Sequence, residues 1–231
     1  MNNPNRFHEL YRAKEESYFG NPRRDYVAAL PVNPRAAILE LGCGSGATGA
    51  LALKEGKCGV YVGVELVEPM AKAAASRLTT VHHGNIETLE LPYEKASFDA
   101  LVMSEVLEHL VAPEIVLRRV TELLKPSGLV FASSPNIAHW RPIYDLILGR
   151  FEYEESGLMD RTHLRWFTPA SFQRMFEDAG IVVDHLGPLV EVSKPKKIIF
   201  GLLGKRFAHL SCSQMNLYGH RASLTTDITG G

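Results

Sequence analysis

The chain has 231 residues, of which 45% are hydrophobic and 22% are charged, and its 25 basic and 26 acidic residues give a net charge of -1. This composition is typical of a globular domain with a full core, and the balanced charge argues against recruitment of nucleic acid or membrane by a global electrostatic field. Cys43, Cys58 and Cys212 are scattered without C-x-x-C spacing, which argues against a disulfide framework or a cysteine metal site.

The amino-terminal part of the chain opens without a charged and apolar leader, and the longest apolar runs are too short to span a bilayer. We therefore expect a cytoplasmic protein without a transmembrane segment. Within residues 1–35, the apolar and aromatic residues of segment 7–19 recur at near-helical spacing between charges. This pattern predicts either an N-terminal helical lid over a ligand site or a helix that packs at the edge of a main domain at 36–231.

The segment 36–46, AAILELGCGSG, joins a short apolar run to three glycines. The apolar run is typical of a strand that is buried on both faces, and the glycines are typical of a turn whose backbone approaches a ligand. Residues 47–54 are rich in Ala and Leu and predict a helix. The glycine amides then lie at a helix N-terminus, so the segment is predicted to hold a cofactor.

Two cofactor motifs overlap in this segment. Residues 44–49 read G-x-G-x-x-G, the dinucleotide signature, which leaves an NAD(P)-dependent oxidoreductase as an alternative. Residues 40–46, E-L-G-C-G-S-G, resemble the first motif of the class I S-adenosylmethionine-dependent methyltransferases. A carboxylate at Glu40 can face the cationic amino group of a methionine moiety, whereas it repels a pyrophosphate. We therefore favour S-adenosylmethionine as the cofactor.

Later segments extend this resemblance. Residues 59–65 form a second apolar run that ends at Glu65, where a carboxylate can accept hydrogen bonds from both ribose hydroxyls. Residues 84–87, G-N-I-E, are similar to the adenine-side loop of the family. The resemblance assigns these residues to the cofactor site: Glu40, Gly42, Gly44, Gly46, Glu65, Leu66, Asn85, Ile86 and Ser104.

The remaining apolar runs predict the other strands of the sheet. They lie near residues 80–82, 98–103, 124–131, 181–186 and 214–222, with helices between most of them. Residues 124–128, L-K-P-S-G, resemble a turn of the family, with Ser127 in place of a glycine. The fold that the resemblance implies is α/β: a doubly wound, mostly parallel, seven-stranded Rossmann-like sheet with helices on both faces and an antiparallel last strand.

Residues 104–110, S-E-V-L-E-H-L, follow the fourth predicted strand. If this stretch is helical, Glu105, Glu108 and His109 share one face. The E-x-x-E-H pattern resembles plant small-RNA terminal methyltransferases and ubiquinone-pathway O-methyltransferases, in which these residues and a later histidine bind a divalent ion. By this resemblance, His163 is the later histidine. It implies Mg2+ or another divalent ion held by Glu105, Glu108, His109 and His163, with Glu105, His109 and His163 as catalytic residues.

The same four residues also permit a site without a metal. Glu105 or Glu108 can pair with a nearby arginine, and such pairs are common at protein surfaces. His109 or His163 can then act as a lone general base that assists removal of a proton from a hydroxyl.

The chain also contains two segments that the family scaffold does not explain. Residues 134–168 are rich in aromatic side chains, which indicates a substrate-side insertion or plain packing. Residues 191–212 form a basic amphipathic connection, and residues 194–207 within it suit either peripheral membrane contact or a solvated helix.

The motifs together predict an S-adenosylmethionine-dependent methyltransferase that methylates a hydroxyl of a small molecule or a sugar. The prediction of a sugar substrate rests on a resemblance of the S-P-N and D-x-T-H-L-R-x-F-T stretches to bacterial methyltransferases of surface-glycan synthesis. Nucleic acid is not expected as a partner, because no basic stripe is present. A non-catalytic protein that keeps the cofactor pocket is the remaining alternative.

Overall fold

A computed structural model describes residues 21–189 and 204–223, which form a seven-stranded sheet with surrounding helices. The strands are β1 (Ala37–Leu41), β2 (Val60–Glu65), β3 (Thr80–His83), β4 (Phe98–Ser104), β5 (Leu124–Pro135), β6 (Ile181–Pro188) and β7 (Gln214–Arg221). The α-helices are α1 (Arg24–Ala29), α2 (Ala47–Lys54), α3 (Glu68–Ala75), α4 (Pro113–Leu123), α5 (Trp140–Ile147) and α6 (Pro169–Glu177). Short 3-10 helices occupy Leu107–His109 and Lys205–Ser211.

The strand order across the sheet is β3-β2-β1-β4-β5-β7-β6. The first five strands pair in parallel, and β7 lies antiparallel between β5 and β6. The predicted fold, including the antiparallel last strand, is therefore confirmed. The carboxyl ends of β1, β2, β4 and β5 meet at one edge of the sheet, which is where doubly wound sheets bind their ligands.

The central strands are apolar because helices cover the sheet on both faces. On one face, Ile38 of β1 and Tyr61 of β2 pack in a cluster with Ala52 of α2. On the other face, Leu39 of β1 packs in a cluster that includes Leu117 of α4. Successive residues of β1 thus point into opposite cores, which leaves little place for a polar side chain along the strand.

The region predicted as an N-terminal lid, residues 1–35, is described only from residue 21 onward. Its described part contains α1, whose Tyr26 and Val27 are buried in the same cluster as Ile38 and Phe131. Residues 21–35 thus contribute to the core of the main domain. The proposed lid helix at residues 7–19 lies outside the described residues.

The segment predicted as a turn at 124–128 is part of the long strand β5. Its pairing with β4 shifts between Phe98 and Ala100, which face Leu124 and Leu129 respectively, so the residues between bulge away from the ladder. Ser127 has a φ of 59°, in the left-handed region that favours glycine. The bulge explains why the family motif places a glycine at this position.

The aromatic segment 134–168 contains the end of β5, α5 and the chain that leads to α6. Helix α5 buries only Pro142, while Trp140, Tyr144 and Ile147 are 40%, 52% and 76% exposed. Most of the basic connection at 191–212 lies outside the described residues. Within the described ranges, no helix combines the length and apolar character needed to cross a bilayer.

Candidate functional site

The glycine turn (residues 42–46) connects β1 to α2 at the carboxyl edge of the sheet. Gly42, Gly44 and Gly46 have φ angles of 66°, 53° and 79°, all in the left-handed region. Gly46 is the N-cap of α2, and a Cβ atom on Gly42 would lie 3.1 Å from Val106 Cγ2. The turn therefore requires glycine for its backbone angles, and it places amide groups at a helix N-terminus as the sequence predicts.

Glu40 lies near the end of β1 directly below this turn and is only 3% exposed. Its Oε2 accepts a hydrogen bond of 3.0 Å from the Tyr61 hydroxyl. Burial, with a smaller contribution from the charge of Glu65, raises the pKa of Glu40 to about 8. The predicted contact between this carboxyl group and a cationic amino group stays a prediction.

Glu65 ends β2 and braces the glycine turn. Its Oε2 accepts a hydrogen bond of 2.8 Å from the Gly44 amide, and its Oε1 accepts one of 2.8 Å from the Val67 amide. Burial raises the pKa of Glu65, and the amides of Val67 and Gly44 oppose that shift. Each carboxylate oxygen has a second lone pair, so Glu65 can still accept a hydroxyl. Leu66 follows it, with its carbonyl 3.2 Å from His83 Nε2.

The β3 loop (residues 84–89) contains the residues predicted on the adenine side. The Asn85 Oδ1 accepts a hydrogen bond of 2.9 Å from the Glu87 amide, which makes a local turn, and Asn85 itself is exposed. Ile86 is 6% exposed and packs in the core cluster of Leu39. Both residues therefore lie at the sheet edge next to β2, and their contact with an adenine stays a prediction.

Arg23 is a site-edge residue that sequence reasoning missed. Its guanidinium donates to Ser104 Oγ at 2.6 Å and to Ser133 Oγ at 2.8 Å, at the carboxyl ends of β4 and β5. It also donates to both oxygens of Asp25 and, at 3.0 Å, to Asn216 Oδ1. These bonds use all five N–H groups of the side chain. The sequence analysis assigned Ser104, one of the partners of Arg23, to the cofactor site, but no sequence pattern indicated Arg23 itself.

A compact group of potential metal ligands lies at the same edge of the sheet. Glu108, His109 and His163 each offer one ligand atom, and these atoms lie within 4.8 Å of one another. The three residues are 1%, 8% and 6% exposed. One carboxylate and two imidazoles form a set that suits a divalent ion. The structure thus brings together three of the four predicted ligands across a long sequence separation.

Hydrogen bonds hold both imidazoles of this group in a defined orientation. The Nδ1 of His109 lies 3.1 Å from the carbonyl of Thr162, and the Nδ1 of His163 lies 3.1 Å from the carbonyl of Leu158. Because a carbonyl only accepts, each Nδ1 donates to it, and in a neutral ring Nε2 then carries the lone pair. Metal-binding histidines are commonly oriented in this way by an outer hydrogen bond.

Residues 105–110 do not form the helix that would place Glu105, Glu108 and His109 on one face, and Glu105 lies outside the group. Only Leu107–His109 forms a single 3-10 turn, and Glu105 has a φ of 52°. The Glu105 Oε2 accepts a hydrogen bond of 2.9 Å from Gln214 Nε2, while Oε1 has no hydrogen-bond partner among the described residues. Burial raises the pKa of Glu105, and Ser133 and Gln214 oppose that shift. The group of three described ligands does not include Glu105.

Aromatic rings surround one side of the histidine group. The Trp166 ring packs edge-on against His163 with a centroid distance of 5.4 Å, and Phe151 lies 6.2 Å from Trp166 in the same manner. The rings of His109 and His163 are 4.8 Å apart. Trp166 and, through it, Phe151 thus place aromatic side chains beside His163.

Comparison with known proteins finds sequence similarity over most of the chain. Residues 13–186 match a family described as "Methyltransferase domain". A ubiquinone biosynthesis O-methyltransferase of Xanthomonas axonopodis pv. citri is 34% identical over 181 residues, which cover 74% of this chain and 73% of that protein. A protein of the same name from Xanthomonas campestris pv. campestris (strain B100) is 34% identical over 125 residues, and the chain spans 50% of its length.

Solved structures show the same architecture at low sequence identity. A SAM dependent methyltransferase from Archaeoglobus fulgidus superimposes with a TM-score of 0.64 at 18% identity. The alignment covers 93% of this chain and 94% of that chain. This likeness concerns the fold, and it agrees with the strand order and the antiparallel β7 described above.

Proposed function

Because the chain belongs to the class I S-adenosylmethionine-dependent methyltransferases, we propose that it transfers the methyl group of S-adenosylmethionine to a hydroxyl on the ring of a small aromatic molecule. The observation that carries this proposal is the group of Glu108, His109 and His163 at the carboxyl edge of the sheet. The name of the Xanthomonas relatives supports a hydroxyl as the methylated group. The aromatic rings next to His163 favour an aromatic acceptor over the sugar that the sequence also suggested.

The methyl donor is proposed to lie across the glycine turn and the ends of β1 and β2. Because the glycines of the turn have no side chains, the donor can lie close to their backbone. Glu65 accepts hydrogen bonds from the ribose hydroxyls. Asn85 and Ile86 then border the adenine. Glu40 supplies a buried carboxyl group close to the turn for the cationic end of the donor.

Methyl transfer is an in-line displacement in which the acceptor oxygen forms a bond to the methyl carbon as the carbon–sulfur bond breaks. The sulfonium becomes a neutral thioether, and the acceptor hydroxyl gives up its proton to solvent. The chain contributes mainly by holding the two reactants in line, which is a large part of the catalysis available to such a reaction. The walls formed by Trp166 and Phe151 would fix the plane of the acceptor.

A divalent ion is proposed as part of the acceptor site. Glu108, His109 and His163 fit such an ion, because the three side chains are buried and the two imidazoles have their Nδ1 protons committed to carbonyls. When bound, the ion lowers the pKa of an acceptor hydroxyl. Two nitrogens and one oxygen suit Mn2+ or Zn2+ at least as well as the Mg2+ that the sequence suggested.

The test is an assay of S-adenosylhomocysteine formation with a panel of catechols, other phenols and sugars, combined with metal analysis of the purified protein. We expect turnover with a catechol or phenol, a loss of roughly 100-fold or more on chelation or in His163→Ala, and recovery on adding metal to the chelated protein. His220→Ala, a change on β7 at a histidine paired with Asp184, is the matched control.

Each part of the proposal has its own contrary result. Full activity of metal-free protein rejects the ion and leaves the histidines as general bases. Turnover with sugars alone rejects the aromatic acceptor. Failure of calorimetry to detect binding of S-adenosylmethionine or S-adenosylhomocysteine rejects methyl transfer and revives a non-catalytic or nicotinamide-dependent protein.

A further inference from the structure

The connector (residues 105–112) contacts both halves of the proposed site. At its start, Val106 lies against Gly42 of the glycine turn, where a Cβ atom on the glycine would be 3.1 Å from Val106 Cγ2. At its end, the Ala112 amide donates a hydrogen bond of 2.9 Å to Glu87 Oε1. Between them, Glu108 and His109 belong to the metal-ligand group. The connector is thus the short path between the donor side and the acceptor side.

On the donor side, two side chains attach the β3 loop to the connector and to the helix that follows it. Glu87 accepts the Ala112 hydrogen bond, and Arg119 of α4 donates through Nη2 to the Ile86 carbonyl. Ala112 is the N-cap of α4, so Glu87 also places a negative charge at the N-terminus of that helix. The β3 loop is therefore hydrogen-bonded to the end of the connector and to α4.

On the acceptor side, backbone and side-chain hydrogen bonds attach the histidine loop (residues 160–165) to the connector. The amides of Leu164 and Arg165 donate to the Glu108 carbonyl at 2.8 and 3.0 Å. The Arg165 Nε donates to the Val111 carbonyl at 2.9 Å, next to the residue that Glu87 contacts. The histidine loop therefore rests on the same backbone that the β3 loop holds.

We infer that binding of the donor nucleoside at the β3 loop orders the histidine loop through the connector, with Glu87 and Arg165 as the positioning residues at its two ends. This inference rests on the proposed function only for the place of the nucleoside. Binding that immobilises the β3 loop restrains Ala112 and Val111, so the bonds to Val111 and Glu108 open less often. The acceptor site is then assembled more completely when donor is present.

The experiment is amide hydrogen exchange with and without saturating S-adenosylhomocysteine, whose binding is measured separately by calorimetry. Exchange at Leu164 and Arg165 reports directly on opening of their bonds to Glu108. We expect the ligand to slow exchange at these two amides by roughly fivefold or more, the lower range of couplings between sites. No acceptor, metal or turnover is required.

Variants test whether Glu87 carries the effect. In Glu87→Ala, at a ligand concentration that calorimetry shows to be saturating for the variant, we expect exchange at Leu164 and Arg165 to respond less than about twofold. Glu87→Gln keeps an acceptor oxygen for the Ala112 amide and should restore the response. The control is Glu90→Ala, an exposed residue just beyond the β3 loop, which should respond as the wild type does.

A second pair of variants tests the other end. Arg165→Ala should bind S-adenosylhomocysteine within about twofold of wild type and lose most of the response. The substitution removes the side-chain bond to the Val111 carbonyl, while the backbone bonds to Glu108 remain as the readout. Arg161→Ala is its control, since Arg161 lies in the same loop and pairs with Glu155. If Glu87→Ala fails to fold, this pair by itself tests whether the connector couples the β3 loop to the histidine loop.

The outcomes separate the inference from the proposed function. If wild type does not bind S-adenosylhomocysteine at all, the proposed function fails and the inference fails with it. If the ligand binds but exchange at Leu164 and Arg165 is unchanged, only the inference is overturned. A wild-type response that persists in both Glu87→Ala and Arg165→Ala also overturns it.

Discussion

A carboxyl group changes its chemistry when its surroundings exclude water, and Glu40 is the example in this chain. In the sequence it is the acid of a cofactor motif, whereas in the structure it is a buried side chain bonded to the Tyr61 hydroxyl. Its raised pKa, about 8, means that the folded protein holds a proton there at neutral pH. A cation bound beside Glu40 would favour release of that proton, so donor binding and proton release are expected to be linked.

This shift has a consequence for stability. The folded pKa of about 8 exceeds the reference value of 4.5, so between these values the folded state binds a proton that the unfolded chain has lost. The contribution of Glu40 to the free energy of unfolding is therefore fully present at pH values below 4.5 and is lost as the pH rises toward 8. We predict that wild type loses at most about 1.4 kcal/mol of unfolding free energy per pH unit through this group.

Denaturant unfolding from about pH 5 to about pH 8 measures the slope. Glu40→Gln keeps an acceptor for the Tyr61 hydroxyl but has no proton to lose, so its stability should depend less steeply on pH. The difference between the two slopes reports the titration of Glu40 together with its electrostatic coupling to Glu65. Parallel slopes would show that Glu40 does not hold this proton.

At the scale of elements, the site depends on how closely α2 approaches β2. Gly49 lies in α2, and a Cβ atom there would be 2.4 Å from Tyr61 Cδ1 and 2.5 Å from Leu78 Cδ2. Gly63 of β2 is equally crowded, because a Cβ atom would be 2.5 Å from Cys43 Sγ. The glycine turn is thus held in place by a helix and a strand that only small residues allow to meet.

Gly49→Ala tests this close approach. In an exposed helix the change to alanine stabilises by about 1 kcal/mol, so helix propensity alone predicts a gain. Overlap with the buried Tyr61 ring predicts the opposite, a loss of about 1–3 kcal/mol. Thermal or denaturant unfolding of the variant gives the sign, and an unchanged or raised stability would contradict the packing described here.

At the scale of the whole molecule, Arg23 connects parts of the chain that are far apart in sequence. It precedes α1, yet it donates hydrogen bonds to Ser104 at the end of β4 and to Ser133 of β5. It also contacts Asn216 of β7, while Asp25 accepts from both Arg23 and Asn216. The guanidinium thus fixes the start of α1 at the edge of the sheet where the site lies.

Removal of Arg23 should loosen this edge. We predict that Arg23→Ala costs about 2–4 kcal/mol in denaturant unfolding, because it leaves Asp25 and the two serines without their shared donor. Arg23→Lys should recover little, since one ammonium cannot reach partners on three strands. Stability of the lysine variant equal to wild type would refute the role of the planar guanidinium.

Local patterns in the sequence predicted the strands and the glycine turn, and the resemblance to a family supplied the topology of the sheet. Apolar runs predicted the strands because a strand covered on both faces is built mainly from apolar residues, with Glu40 near the end of β1 as an exception. Glycines at 42, 44 and 46 predicted a turn because such turns use backbone angles that are costly for other residues, and the angles in the structure agree. His163 was identified only through a resemblance, and the structure places it beside Glu108 and His109.

The sequence by itself determined which strands and turns form, since these follow from spacing and backbone preference over a few residues. Only the tertiary structure decided where Glu105 points, because its left-handed backbone angle replaces the predicted helix and turns it toward Gln214 of β7. The same holds for the network of Arg23, whose partners are 81, 110 and 193 residues away. Such contacts depend on how the sheet is assembled, and no local pattern carries that information.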